Sequence, residues 1–170
     1  MRRLTLALTL AALTCSTAAV AQTSTLRIGL QDDPDVLDPA RARTFVGRIV
    51  FASLCDKLVE ITPELKIVPQ LAQSWAWSDG NKTLTFKLRT DAVYHDGVAI
   101  DAASVKANLD RARTLADSNR KSELASVASV EAPDAQTVVV RLTGPDASLL
   151  SQLSDRAGMM ISPASFDKDP

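Results

Sequence analysis

The sequence predicts an α/β fold, and three observations carry that reading. Two stretches alternate apolar and polar residues around a turn-forming insert, the signature of antiparallel hairpins. Other stretches space apolar residues three and four apart, as a helix face requires. These signals interleave irregularly, with no internal repeat or low-complexity run, which excludes a solenoid or a plain bundle.

The first element is an export signal. Arg2 and Arg3 precede an apolar run, Leu4 to Leu13, broken only by Thr5 and Thr9. Ala19-Val20-Ala21 then fits a signal-peptidase site, so cleavage is expected after Ala21, with residues 1–21 removed. The run is too short for a membrane anchor, which needs about 20 apolar residues. Cys15 suggests lipidation, but Thr14 stands where such signals carry a small residue, so that alternative fits poorly.

Cleavage takes Arg2 and Arg3 from the 19 basic residues and leaves 17 against 20 acidic ones, a net charge of −3. No basic patch points to a nucleic-acid partner. Removing 21 of 170 residues leaves 149, enough for one core. Cys55 is then the single cysteine, without an internal disulfide partner, and its apolar neighbours predict burial.

Thr25–Leu30 reads as a short β-rich strand. "QDDPDVLDPAR" follows, and its two prolines exclude a helix interior, so it is a loop leaving the strand. Phe45, Ile49, Val50, Leu54 and Leu58 make one face of a helix over 44–58. "LVEIT" reads as a strand, with Pro63 and Pro69 bounding a connection. "QSWAWSDGNKTLTFKLR" is a hairpin: Trp75 and Trp77 share one side of the first arm as a core-facing pair. Leu84, Phe86 and Leu88 do the same on the second, and Asp-Gly supplies the turn.

In "YHDGVAIDAASVKANLDRAR", Asp96-Gly97 reads as a turn with His95 at its edge and Tyr94 packed inward. Asp101 caps a helix whose inner face is Val105, Leu109 and Ala112. "VASVEAPDAQTVVVRL" is a second hairpin turning in "APDAQ". "DASLLSQLSD" is a short helix starting near Asp146, and "GMMIS" reads as a buried strand.

The chemistry-bearing residues are sparse. There is no Gly-x-Ser-x-Gly elbow and no phosphate-cradling glycine loop. Zinc sites need several His or Cys at short spacing, and the mature chain has one of each. His95 and Asp96 are adjacent, so on extended backbone they point apart, against a catalytic pair. Asp32, Asp33 and Asp35 lack the glycine and distal glutamate of a calcium loop. They are either a solvated loop or a loop at a strand's C-terminal end, where open α/β sheets bind ligands. An enzyme, a metal site and a cofactor are therefore not expected.

The run "IVFASLCDKLVEI…IVPQLAQSWAWSDGNKTLTFKLRTDAVYHDGVAIDAASVKANLDRA" resembles the extracellular solute-binding proteins of family 5, the peptide, dipeptide, nickel and glutathione receptors of ABC importers. The likeness covers residues 25–166. It implies a periplasmic-binding-protein fold of type II, in which two lobes close on a solute and the closed form docks on an ABC permease. By that likeness, residues 22–48 start the main lobe, 49–155 form its smaller subdomain and 156–170 return to the main lobe. The second lobe is expected to be absent.

The resemblance implies a periplasmic subunit that binds a small peptide or similar solute. Its loop after the first strand then supplies Asp33, Asp35, Arg41 and Thr44 as ligand-binding candidates, with Asp33 or Asp35 facing a ligand amine. The alternative is a truncated periplasmic module without binding activity, exposing apolar surface meant for the missing lobe. One local departure concerns the helix cap: Ser104 replaces the family's acidic residue, so a weakened capping box is expected.

Overall fold

A four-stranded antiparallel sheet with one long helix across its inner face organises the chain. The computed structural model describes residues 25–166 and 168. The expected signal peptide, its Ala21 cleavage site and Cys15 lie outside the described residues. The elements run α1 (Phe45–Leu54), β1 (Val59–Ile61), β2 (Ile67–Pro69), β3 (Ala72–Ser78), β4 (Thr83–Leu88), α2 (Ala102–Thr114), β5 (Val127–Asp134), β6 (Thr137–Leu142) and α3 (Leu149–Leu153). Two single 3₁₀ turns follow, Arg156–Gly158 and Pro163–Ser165.

The main sheet has the order β3-β4-β6-β5, and β1 and β2 form a separate two-stranded ribbon. In the first hairpin Trp75 lies opposite Phe86 and Trp77 opposite Leu84, so both indoles share the inner face. They are half-buried against a core that fully buries Leu84 and Phe86. Asp79, Gly80 and Asn81 take φ of 51°, 59° and 64°, the left-handed values that Asp, Asn and Gly tolerate best. The second hairpin turns between Asp134 and Thr137, where the Asp134 carboxylate accepts hydrogen bonds from the Gln136 amide and Thr137 hydroxyl.

Helix α2 presents Val105, Leu109 and Ala112 to Leu84, Phe86, Val130, Val138 and Val140 of the sheet. Each such side chain contributes about 1.5–3 kcal/mol on burial. Leu149 and Leu153 of α3 close one end of this core. The Asp101 cap carries a complete capping box, contrary to expectation. Asp101 Oδ1 accepts from the Ser104 amide at 2.8 Å, and Ser104 Oγ accepts from the Asp101 amide at 3.1 Å. A serine hydroxyl replaces the expected carboxylate because both are acceptors within reach of the same N–H.

Four other expectations are corrected. Thr25–Leu30 forms no strand: it pairs with nothing among the described residues, and Leu26 and Ile28 stand 84% and 72% exposed. A strand needs a neighbour to satisfy its backbone, whatever its propensity. Ile67–Pro69, read as part of a connection, is β2, paired to β1 through Val59↔Pro69. "GMMIS" makes only one bridge, Met159 to Lys57, although Met159 and Met160 are buried.

The fourth correction concerns α1. The helix ends at Leu54, and its inward residues are Gly47 and Phe51. Phe45, Ile49 and Leu54 of the expected face are 71%, 43% and 45% exposed. "FVGRIVFASL" is apolar on several sides, so periodicity alone cannot choose a face. Phe51 packs with Ala42 and Met159 in a small second cluster, and half-buried Cys55 lies against it.

Candidate functional site

The loop from Gln31 to Thr44 carries all four candidates, and its shape follows from its carboxylates. Asp35 Oδ2 accepts from the Arg43 amide at 2.8 Å, and its Oδ1 accepts from Thr44 Oγ1 at 2.9 Å. Thr44 Oγ1 in turn accepts from the Gly47 amide and caps α1. A Cβ at residue 47 would lie 3.1 Å from Thr44 Oγ1 and 3.3 Å from Asp35 Oδ1, so the loop closes this tightly because that position is glycine. Slight burial raises the Asp35 carboxyl, but the Arg43 and Thr44 hydrogen bonds outweigh it and hold the group below its ordinary value.

Asp33 stands apart from this closure. The residue is exposed, and its amide donates to Asp32 Oδ1 at 2.9 Å. Arg41 is half-buried and ion-paired: its Nε lies 3.0 Å from Asp117 and 3.7 Å from Asp38. The structure thus brings Asp35 and Thr44 into contact and directs Arg41 toward the segment after α2.

The most buried charge in the loop is Asp38, which no local pattern singled out. It is 5% exposed and forms a two-pronged pair with Arg111 of α2, Oδ1–Nη1 3.1 Å and Oδ2–Nη2 2.6 Å. Burial alone would raise its pKa. The Arg111 hydrogen bonds, the Ala40 amide and the charges of Arg111 and Arg41 outweigh burial and hold the carboxyl below its usual range. The loop's carbonyls are held as well. Asn119 donates to Ala40 O (2.8 Å) and to Arg41 O, while Arg120 and Arg156 both donate to Ala42 O at 3.1 Å. The network leaves little trace in sequence, because Arg111 reaches Asp38 across 73 residues and Arg120 and Arg156 reach Ala42 across 78 and 114.

His95 lies elsewhere, exposed in the Tyr94–Gly97 turn, with Tyr94 buried beneath it as expected. Gly97, at φ 83°, lets the turn close by a 2.9 Å bond from its amide to Tyr94 O. This turn borders a cleft of about 470 Å³, whose other walls are the end of α1 and the segment from Met160 to Lys168. The cleft's carboxylates are engaged: Asp96 accepts from Ser162 Oγ (2.5 Å) and the Val98 amide, and Asp56 accepts from Gln70. Burial, then the charges of Asp56 and Asp38, pushes the Cys55 thiol up to about 11, far from a nucleophile's range. Among the described residues no three His, Cys, Asp or Glu side chains group to hold a metal ion.

Comparison with known proteins gives consistent results. The model of the bacterial extracellular solute-binding proteins, family 5 Middle, matches residues 66–170. The glutathione-binding protein GsiB of Escherichia coli strain K12 is 37% identical over 133 residues, which is 78% of this chain and 26% of the relative. The chain therefore spans about a quarter of the length of that relative. The periplasmic binding protein AgaA of A. tumefaciens R10, solved with agropinic acid, superposes with a TM-score of 0.75 at 30% identity, covering 81% of this chain and 29% of AgaA. OppA of Haemophilus influenzae, solved with the peptide RPPGFSPFR, gives 0.70 at 26% identity, over 75% and 28% of the two chains.

Proposed function

The chain belongs to the bacterial extracellular solute-binding proteins of family 5, with a type II periplasmic-binding-protein fold, and from that premise we propose that it captures a small peptide or similar solute in the periplasm for an ABC importer. The observation that carries this reading is the family match together with 37% identity to a glutathione-binding protein. Among the described residues no helix is long and apolar enough to cross a membrane. The role proposed is binding, with delivery to an ABC permease, not catalysis.

Within this reading the 31–44 loop contributes one wall of the solute site. Asp33, exposed and apart from the Asp35–Thr44 closure, faces a ligand amine. Asp35, Arg41 and Thr44 form the rest of the site and set its shape. Residues 49–155 act as the smaller subdomain, with 22–48 and 156–170 belonging to the main lobe.

The test is thermal unfolding of the exported chain with reduced glutathione and with a panel of di- and tripeptides. A ligand at a hundredfold excess over its Kd stabilises by about 2.7 kcal/mol, a rise of roughly 5–10 °C for a chain of this size. No shift with any of these solutes would remove the binding role and leave a non-binding periplasmic module.

A further inference from the structure

We propose that Arg111 is the positioning residue of the 31–44 loop, fixing the height at which its ligand-facing groups stand; this rests on the binding role proposed above. From α2, Arg111 hydrogen-bonds both segments that flank the sheet unit. Its guanidinium pairs with both oxygens of Asp38 in the loop. It also reaches the Phe166 carbonyl at 3.5 Å and lies 4.9 Å from the centroid of the Phe166 ring.

Asp38 passes this anchorage to the loop backbone. Its Oδ1 accepts from the Ala40 amide at 2.9 Å. Its carbonyl accepts from the Arg41 and Ala42 amides at 3.1 and 2.9 Å. Loss of the Asp38 anchorage therefore frees the amides of Ala40 to Ala42, which lead within two residues to Thr44 and its Asp35 pair. A planar guanidinium fixes both carboxylate oxygens at once, whereas an ammonium holds a point and lets the carboxylate pivot. Arg111→Lys thus keeps the charge and removes the geometry.

Arg113 provides the control. It sits two residues on in α2 but bonds Asp110 and the carbonyls of Val127 and Ala128, and among the described residues it makes no hydrogen bond to the loop. The experiment compares Arg111→Lys, Asp38→Asn and Arg113→Ala in the full chain by hydrogen exchange at the amides of Ala40 to Arg43 and by glutathione titration. The expected result is at least tenfold faster exchange at those amides in the first two variants, at most twofold in Arg113→Ala, with glutathione Kd raised about tenfold in the same two only. Asp38→Asn, nearly isosteric, serves if Arg111→Lys does not fold. Unchanged loop exchange in the two variants, or equal loosening by Arg113→Ala, overturns the proposal. Loss of the glutathione signal in the unmodified chain would sink the binding role instead, and the exchange comparison would still decide the positioning role.

Discussion

The Asp38 carboxylate meets the Arg111 guanidinium across 73 residues of sequence, at 2.6 Å, with 7% and 11% of the two side chains exposed. A pair buried this far is costly to break from one side, because the remaining charge is left without a partner or water. Asp38→Ala is expected to cost about 3–5 kcal/mol, read as a lower urea midpoint. A change under 1 kcal/mol would mean that Arg111 finds solvent or another acceptor.

The same pair sets an acid limit. Asp38 titrates below its ordinary 3.8 in the folded chain, so the unfolded chain takes up its proton first as pH falls. Its stabilisation is complete above about pH 3.8 and is lost as pH drops through the folded value. The unmodified chain should therefore lose stability more steeply than Asp38→Asn between pH 4 and pH 2. Parallel urea-midpoint profiles would contradict this.

At the start of α2, Ser104→Ala removes the hydroxyl that accepts from the Asp101 amide and should cost about 1 kcal/mol. Ser104→Glu, which restores the more usual capping-box residue, is expected to destabilise too. Position 104 is buried, and a carboxylate there would lose hydration for a hydrogen bond from the Asp101 amide that the serine already accepts. A higher melting temperature for the glutamate variant would show that local capping outweighs burial.

Gly158 leaves no room for a side chain. An added Cβ would stand 1.9 Å from the Leu153 carbonyl oxygen and 2.6 Å from its carbon, both backbone atoms that no rotamer change can move. Gly158→Ala should cost about 3 kcal/mol, the upper end for overpacking, in chemical denaturation. Gly144, with open space around its Cβ direction, should accept alanine with little change.

Cys55 should react slowly. With its thiol pushed up to about 11, the thiolate fraction at pH 8 is on the order of a hundredfold below that of an ordinary exposed cysteine. Iodoacetamide labelling should be slow in the folded chain and fast in urea. Equal rates would show that the site around Phe51 and Met159 is open.

Both hairpins, the Asp101-capped helix and the Tyr94–Gly97 turn were legible in the residues, because each depends on neighbours within a few positions. A period-two pattern around Asp-Gly fixes a hairpin, and a capping carboxylate fixes a helix start, without reference to the rest of the chain. The candidate loop was legible as a loop from its prolines and aspartates. Its internal order was not: the Asp35–Thr44 closure packs against position 47, where an added Cβ would lie 3.3 Å from Asp35 Oδ1.

Local sequence thus determined which segments turn, pair with their neighbours and coil. Tertiary structure alone decided which face of α1 is buried, because that helix is apolar on more than one side. It also left Thr25–Leu30 unpaired, because a strand exists only with a partner. And it joined Asp38 to Arg111, because an ion pair between distant residues has no signature in sequence until the fold brings the two charges out of water together.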